Sequence, residues 1–200
     1  MKLMQLLALS PLLLGLSLGE TAQAQTTACD RSCLDSTLNS YLQALLAHNP
    51  AAAPLASTYR HTENDVVQPL GEGMWQTTTG LGAVQRHYLD TVTQNAVYYG
   101  IVEEGASLAI VGIRLHVDNR LITEAEWFIG READPGSDGV PSNTLWSADY
   151  LTNGNPPLIR TVPAAQRSTR AELAYITNSY WDGIVNRNPN IEVAHPGCYR

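Results

Sequence analysis

Tyr59, His61 and Glu63 occupy alternate positions in the stretch YRHTENDVVQPLGEGMW, residues 59–75. On an extended strand that spacing puts a phenol, an imidazole and a carboxylate on one face, with Arg60, Thr62 and Asn64 on the other. Such a trio can move a proton: Glu63 serves as base or acid, His61 relays, and Tyr59 orients a bound molecule. The plainer alternative is an edge strand whose Glu63 pairs with an arginine. Asn64 and Asp65 read as turn residues, since both tolerate positive φ.

A second group centres on Arg114, set between Ile113 and Leu115 and opposite a run that carries Glu124 and Glu126. A cation in apolar company needs a partner. One reading is a cross-strand Arg–Glu pair that pins the register, worth ~0.5 kcal/mol where exposed. The other makes Arg114 the anchor for an anion or developing oxyanion, with a buried carboxylate of raised pKa as base. Register decides which glutamate meets Arg114, because a slip of one residue moves every side chain to the other face.

Aromatic residues make a third set. With one Phe in the chain, Trp75, Tyr88, Tyr98, Tyr99, Trp127, Trp146, Tyr150, Tyr180 and Trp181 mostly carry a polar handle. Ring faces with OH or NH tips suit a cavity for aromatic or polycyclic ligands, although core packing and a dimer face account for many such residues. Trp75 and Tyr88 flank the opening stretch. With Tyr59, Glu124 and Glu126 they are the substrate-binding candidates, beside Glu63, His61 and Arg114 as the catalytic ones.

The elements that must position these groups follow from periodicity. Thr27-Ala28-Cys29-Asp30 resembles a capping box, and Leu34, Leu38, Leu42, Leu45 and Leu46 then repeat at helical spacing until His48-Asn49-Pro50. Residues 51–56 read as a short second helix, 59–64 as a strand, and 80–89 as a third helix. Residues 96–103, 108–117 and 121–130 are β-like, the last two joined by the turn Asp118-Asn119-Arg120. A Pro/Gly/Ser/Asn-rich loop or lid spans 134–165, and Thr169-x-x-Glu172 caps a closing helix with Leu173, Ile176, Tyr180 and Ile184 on one face. The expected class is α+β, with N-terminal helices set on a curved antiparallel sheet and a cavity between them.

The first residues and the composition bound the function. Lys2, the apolar run 3–18 and Ala22-Gln23-Ala24 predict a signal peptide, residues 1–24, cleaved to leave one domain over 25–200. Secretion, or periplasmic export in a bacterium, is the expected destination, with no membrane attachment after cleavage. The net charge of −7 argues against a nucleic-acid partner. Lys2 is the only lysine, so Schiff-base chemistry on a lysine is excluded in the mature chain. In an oxidising compartment Cys29, Cys33 and Cys198 predict one disulfide, from Cys198 to one of the other two. The five histidines (48, 61, 87, 116 and 195) show no metal-site spacing, and neither Gly71-x-Gly73 nor Gly80-x-Gly82 completes a dinucleotide loop. No metal or cofactor is expected.

Six motifs in order carry a family resemblance: Cys-Asp-Arg-x-Cys-Leu (29–34), Thr-Glu-Asn (62–64), Leu-Gly-Glu-Gly-Met-Trp (70–75), Ile-Arg-Leu-His-Val-Asp-Asn (113–119), Ile-Thr-Glu-Ala-Glu (122–126) and the helix start at 168–173. They resemble the nuclear-transport-factor-2-like superfamily, with its ketosteroid isomerases and SnoaL-like cyclases, and within it a secreted fungal and bacterial branch. Asp65 stands where that branch often has Gly, and the chain ends at Arg200 where others continue. The resemblance implies a cone-shaped sheet wrapped on helices, and a cofactor-independent lyase or isomerase of hydrophobic oxygenated compounds. A non-catalytic binding protein for an apolar ligand is the alternative, and a homodimer through the open sheet face is a third reading.

Overall fold

The computed structural model describes residues 28–131, 134–135 and 162–193. The expected signal segment, most of the 134–165 loop, Trp146, Tyr150 and Cys198 lie outside them. Helix α1, Arg31–Leu46, starts at Asp30, whose carboxylate accepts the Cys33 N–H at 2.8 Å. The cap is thus Asp30 rather than Thr27. Leu34, Leu38, Tyr41, Leu42 and Leu45 make its buried face, and the helix stops at His48, which turns to φ 49° before Pro50. Cys29 and Cys33, with Cα atoms 5.1 Å apart across this helix start, form the disulfide. This corrects the expected bond to Cys198: four residues across one turn already bring two cysteines within bonding span.

Six strands follow: β1 Leu55–Glu63, β2 Val66–Gln68, β3 Gly80–Asp90, β4 Asn95–Glu104, β5 Ser107–Asp118 and β6 Leu121–Arg131. They build one curved, unclosed sheet in the order β2-β1-β6-β5-β4-β3. Neighbours are antiparallel except β1 and β6, which run parallel. Asn64 and Asp65 (φ 45° and 66°) turn β1 into β2, and Asn119 and Arg120 (φ 49° and 66°) turn β5 into β6. These are the two-residue hairpins that need positive φ at both positions.

Two expected helices are not helical. Residues 50–52 make a single 3-10 turn, because Leu55 already pairs with Ile122 in the sheet. Residues 80–89 belong to β3, paired with β4 from Gly80↔Glu103 to Asp90↔Asn95. A bulge between Leu81 and Gln85 shifts the alternation there, so the apolar spacing mimics a helical period. Gly80 and Gly82 also weaken any helix at that point. Helix α2, Met74–Thr77, is a short turn after the Pro/Gly stretch.

Leucines of α1 fill the concave side of the sheet with Ala96, Tyr98, Val111, Ile113, Leu115, Ile122, Trp75 and Trp127. The expected conical cavity is occupied by these side chains. A smaller apolar group, Val84 and Ile101 with Leu108 and Ile110, sits on the opposite face. Helix α3, Arg170–Val185, has the predicted capping box, Thr169 and Glu172 bonding each other's backbone N–H. It buries only Ser179 and Gly183. Its expected apolar face (Leu173, Ile176, Tyr180, Ile184) is exposed, and an Arg170–Asp90 ion pair of 2.6 Å ties its start to β3.

Gly100 marks where β3 and β4 come closest. A Cβ there would collide with the Val84 carbonyl and the Tyr98 ring. Gly100→Ala is therefore expected to cost about 2 kcal/mol of stability, read as a lower urea midpoint at unchanged slope. An unshifted midpoint would show that the strands relax apart freely.

Candidate functional site

Strand β1 enters beside β6, the neighbour that presents Ala125 and Trp127 inward. Tyr59, His61 and Glu63 consequently face the concave side, while Arg60 and Thr62 face out beside Glu124 and Glu126. The division expected from spacing holds along β1. Asn64 does more than turn the chain: its side chain bonds Ile129 through both N–H (2.8 Å) and C=O (3.0 Å), locking β1 to β6.

His61 is enclosed, its side chain 1% exposed, with Glu63 12% exposed and Oε1 at 3.4 Å from Nε2. Neither ring nitrogen makes a hydrogen bond; of four such orphaned buried atoms among the described residues, Trp75 Nε1 is a third in this cluster. Each would cost on the order of 1–3 kcal/mol if left dry. Tyr59 stacks over His61 at 6.4 Å between ring centres, and Trp127 tilts against it at 6.2 Å. The Tyr59 and Tyr41 hydroxyls bond at 3.1 Å, and Trp127 Nε1 donates to Tyr41 at 3.2 Å. Trp75 turns its indole N–H toward both phenols without reaching hydrogen-bond geometry. Burial, above all, raises both phenols: Tyr59 is pushed up to about 12, and Tyr41 lies well above its ordinary value. Both remain hydrogen donors at any physiological pH.

Helix α2 closes this cluster and is itself tied on three sides. Glu63 Oε1 accepts the Met74 N–H at 2.6 Å. His48 Nδ1 meets the Trp75 carbonyl at 2.6 Å, and Thr77 donates to Glu104 at 2.6 Å. Glu104 also takes Arg131 on two nitrogens, at 2.6 and 3.0 Å, which holds its carboxyl below the usual range. Gly73 (φ 61°) is required beside Glu63, whose carboxylate occupies the place of a Cβ.

Arg114 lies elsewhere. It points from the outer face and is bound by Glu126 at 2.8 Å, Glu124 at 2.8 Å and Asn95 at 2.9 Å. Glu126 sits directly across and Glu124 two residues along, so both glutamates meet it. The guanidinium holds Glu126 below its ordinary pKa, the opposite of the raised carboxylate a base requires. Tyr88 is exposed on the same outer side. The structure thus brings together Tyr59, His61, Glu63 and Trp75, and separates from them Arg114, Tyr88, Glu124 and Glu126. Spacing did not single out Tyr41, although it stands seven residues from Leu34 on the buried face of α1. The His87–Asp35 contact of 2.8 Å joins residues far apart in sequence and left no local signal.

The raised phenols give a pH test. The unfolded chain loses phenolic protons near 10.0, whereas folded Tyr59 keeps its own to about 12. Stability from this source is complete below 10.0 and lost as pH rises through about 12. Phenolate absorbance should therefore grow together with loss of structure, and Tyr59→Phe should flatten that alkaline loss. Complete tyrosine titration near pH 10.0 with the fold intact would contradict the burial.

No protein-family model matches the chain, and no curated protein matches it. Solved structures do. A nuclear-transport-factor-2-like protein of unknown function from Cytophaga hutchinsonii ATCC 33406 is 11% identical, with a TM-score of 0.39, covering 48% of this chain and 89% of its own. AusH from Aspergillus nidulans is 10% identical, with a TM-score of 0.43 and coverage of 60% and 97%. A putative ketosteroid isomerase from Kribbella flavida DSM 17836 is 16% identical, with a TM-score of 0.41 and coverage of 70% and 96%.

Proposed function

We propose that the protein is exported and handles a hydrophobic oxygenated small molecule by proton transfer at the Tyr59–His61–Glu63 wall, as a cofactor-independent lyase or isomerase. The observation that carries this reading is the buried imidazole, unbonded at both ring nitrogens, with a carboxylate 3.4 Å away. In this scheme His61 takes a proton from carbon next to a substrate carbonyl. Glu63 steadies the imidazolium that forms, and the Tyr59 hydroxyl donates to the developing oxyanion. Arg114 has no part in it, because its guanidinium is on the other face with two carboxylates. Trp75 covers the cluster, so a substrate has to displace it. The disulfide Cys29–Cys33 supports an oxidising destination.

A second reading is a non-catalytic binding protein. It is favoured by the filled concave side and by Glu63, already occupied with the Met74 N–H. Deuterium exchange next to the carbonyl, followed by NMR over a panel of aromatic and terpenoid-like ketones, separates the two. Glu63→Gln keeps an oxygen acceptor for Met74. It is expected to slow exchange about 100-fold or more with the unfolding midpoint unchanged. An equal rate in that variant removes Glu63 from the reaction. Binding of the ketones by a wild-type chain that exchanges none of them selects the second reading.

A further inference from the structure

On the outer face, away from His61, a cleft of about 1060 Å³ opens between β3–β5 and the start of α3. Tyr88, Leu89 and Val97 line its strand side, and Val162 and Leu173 its helix side. Arg31, Arg86, Arg114, Arg167 and Arg170 also line it, five of the eleven arginines in a chain of net charge −7. Asp90 is the one carboxylate among the described lining residues. The concentration of guanidinium groups runs against the charge of the whole molecule.

These arginines are not equivalent. Arg114 is neutralised by Glu124 and Glu126, and Arg170 by Asp90. Arg31 and Arg167 each give one N–H to a backbone carbonyl, Leu89 at 3.2 Å and Val162 at 3.0 Å. Among the described residues neither makes an ion pair. A carbonyl orients a guanidinium without cancelling its charge, so both keep a full positive charge and free donors. His87 adds direction. Its Nδ1 meets Asp35 Oδ1 at 2.8 Å, and an ionised carboxylate can only accept, so in the neutral ring Nε2 is left as an acceptor.

We propose that this cleft binds an amphipathic organic anion. Its carboxylate, sulfate or phosphate head is held by the two unneutralised guanidinium groups, and its ring or alkyl body rests on Tyr88, Val97 and Leu173. The volume is at the upper end of small-molecule sites, ample for a body of two or more fused rings. A tyrosine face beside aliphatic side chains suits an aromatic or polycyclic body. A hydroxyl on the ligand would find Nε2 of His87. The repulsion of an acidic chain is spread over its surface and screened by salt, whereas the attraction is local to the cleft.

Naphthalene-2-carboxylate and its neutral amide share one ring and differ in charge, and serve as probes in an NMR titration of the full chain at low salt. The acid is expected to bind about tenfold tighter than the amide, with shifts at the Tyr88, Val97 and Leu173 amides. Arg31→Gln with Arg167→Gln should bring the acid down to the affinity of the amide, and Tyr88→Ala should weaken both probes. Arg167→Gln alone, in an exposed segment, gives a smaller loss in the same direction if the double variant fails to fold. Glu63→Gln should change neither affinity, so this site and the inner one stand or fall separately. Equal affinities for acid and amide, an unchanged affinity in the arginine variants, or shifts confined to the exposed end of α3 would overturn the proposal.

Discussion

A side chain on a strand can serve one face of its sheet, and that constraint organises the molecule. Helix α1 can cover only the concave face, and the inward positions beneath it, among them Ala96, Tyr98, Ile113, Leu115 and Trp127, are apolar or aromatic. The parallel pairing of β1 with β6 then carries Tyr59, His61 and Glu63 into the same interior. Everything polar on the alternate positions is forced outward. There Arg114, Glu124, Glu126 and Asn95 satisfy one another as a surface network. Residues close in sequence thereby end up in two chemical environments, one enclosed and one wet.

The enclosed environment is defined by what fastens α2 over it. A helix of four residues cannot hold itself, and three bonds from three different elements do so: Glu63 from β1, His48 from the end of α1, and Glu104 from β4 by way of Thr77. Glu63 therefore has a structural duty beside the chemical one proposed for it. Its Oε1 is taken by the backbone N–H of Met74, while His61 beside it has no bonded ring nitrogen.

Much of this was legible in the residues. Period-two alternation gave the face of β1, the Asp-Asn-Arg turn gave the β5–β6 hairpin, and Thr169 with Glu172 gave the start of α3. What escaped was non-local or irregular. The bulge in β3 made a strand look helical. Arg114 could not be placed from sequence because its register was open; in the structure Glu126 stands directly across from it. The bond between Cys29 and Cys33 depends on how the chain enters α1, whereas the sequence pointed to a bond from Cys198 to one of them. Arginines 31, 86, 114, 167 and 170 meet only through the fold, and no window of sequence contains them all.

The pairing of β1 with β6 also sets an order of events. Strands β3 to β6 form a meander of consecutive hairpins, each closed by a short loop. Strand β1 has to find a partner more than sixty residues further along, as Arg60 does Glu124. Closing so long a loop is entropically costly and slow compared with zipping a hairpin. Until β6 exists, His61 and Glu63 are solvated side chains on an unpaired strand. The enclosed arrangement of His61 and Glu63 is therefore among the last features the chain acquires, and a fault in β6 would remove it while leaving the earlier hairpins free to form.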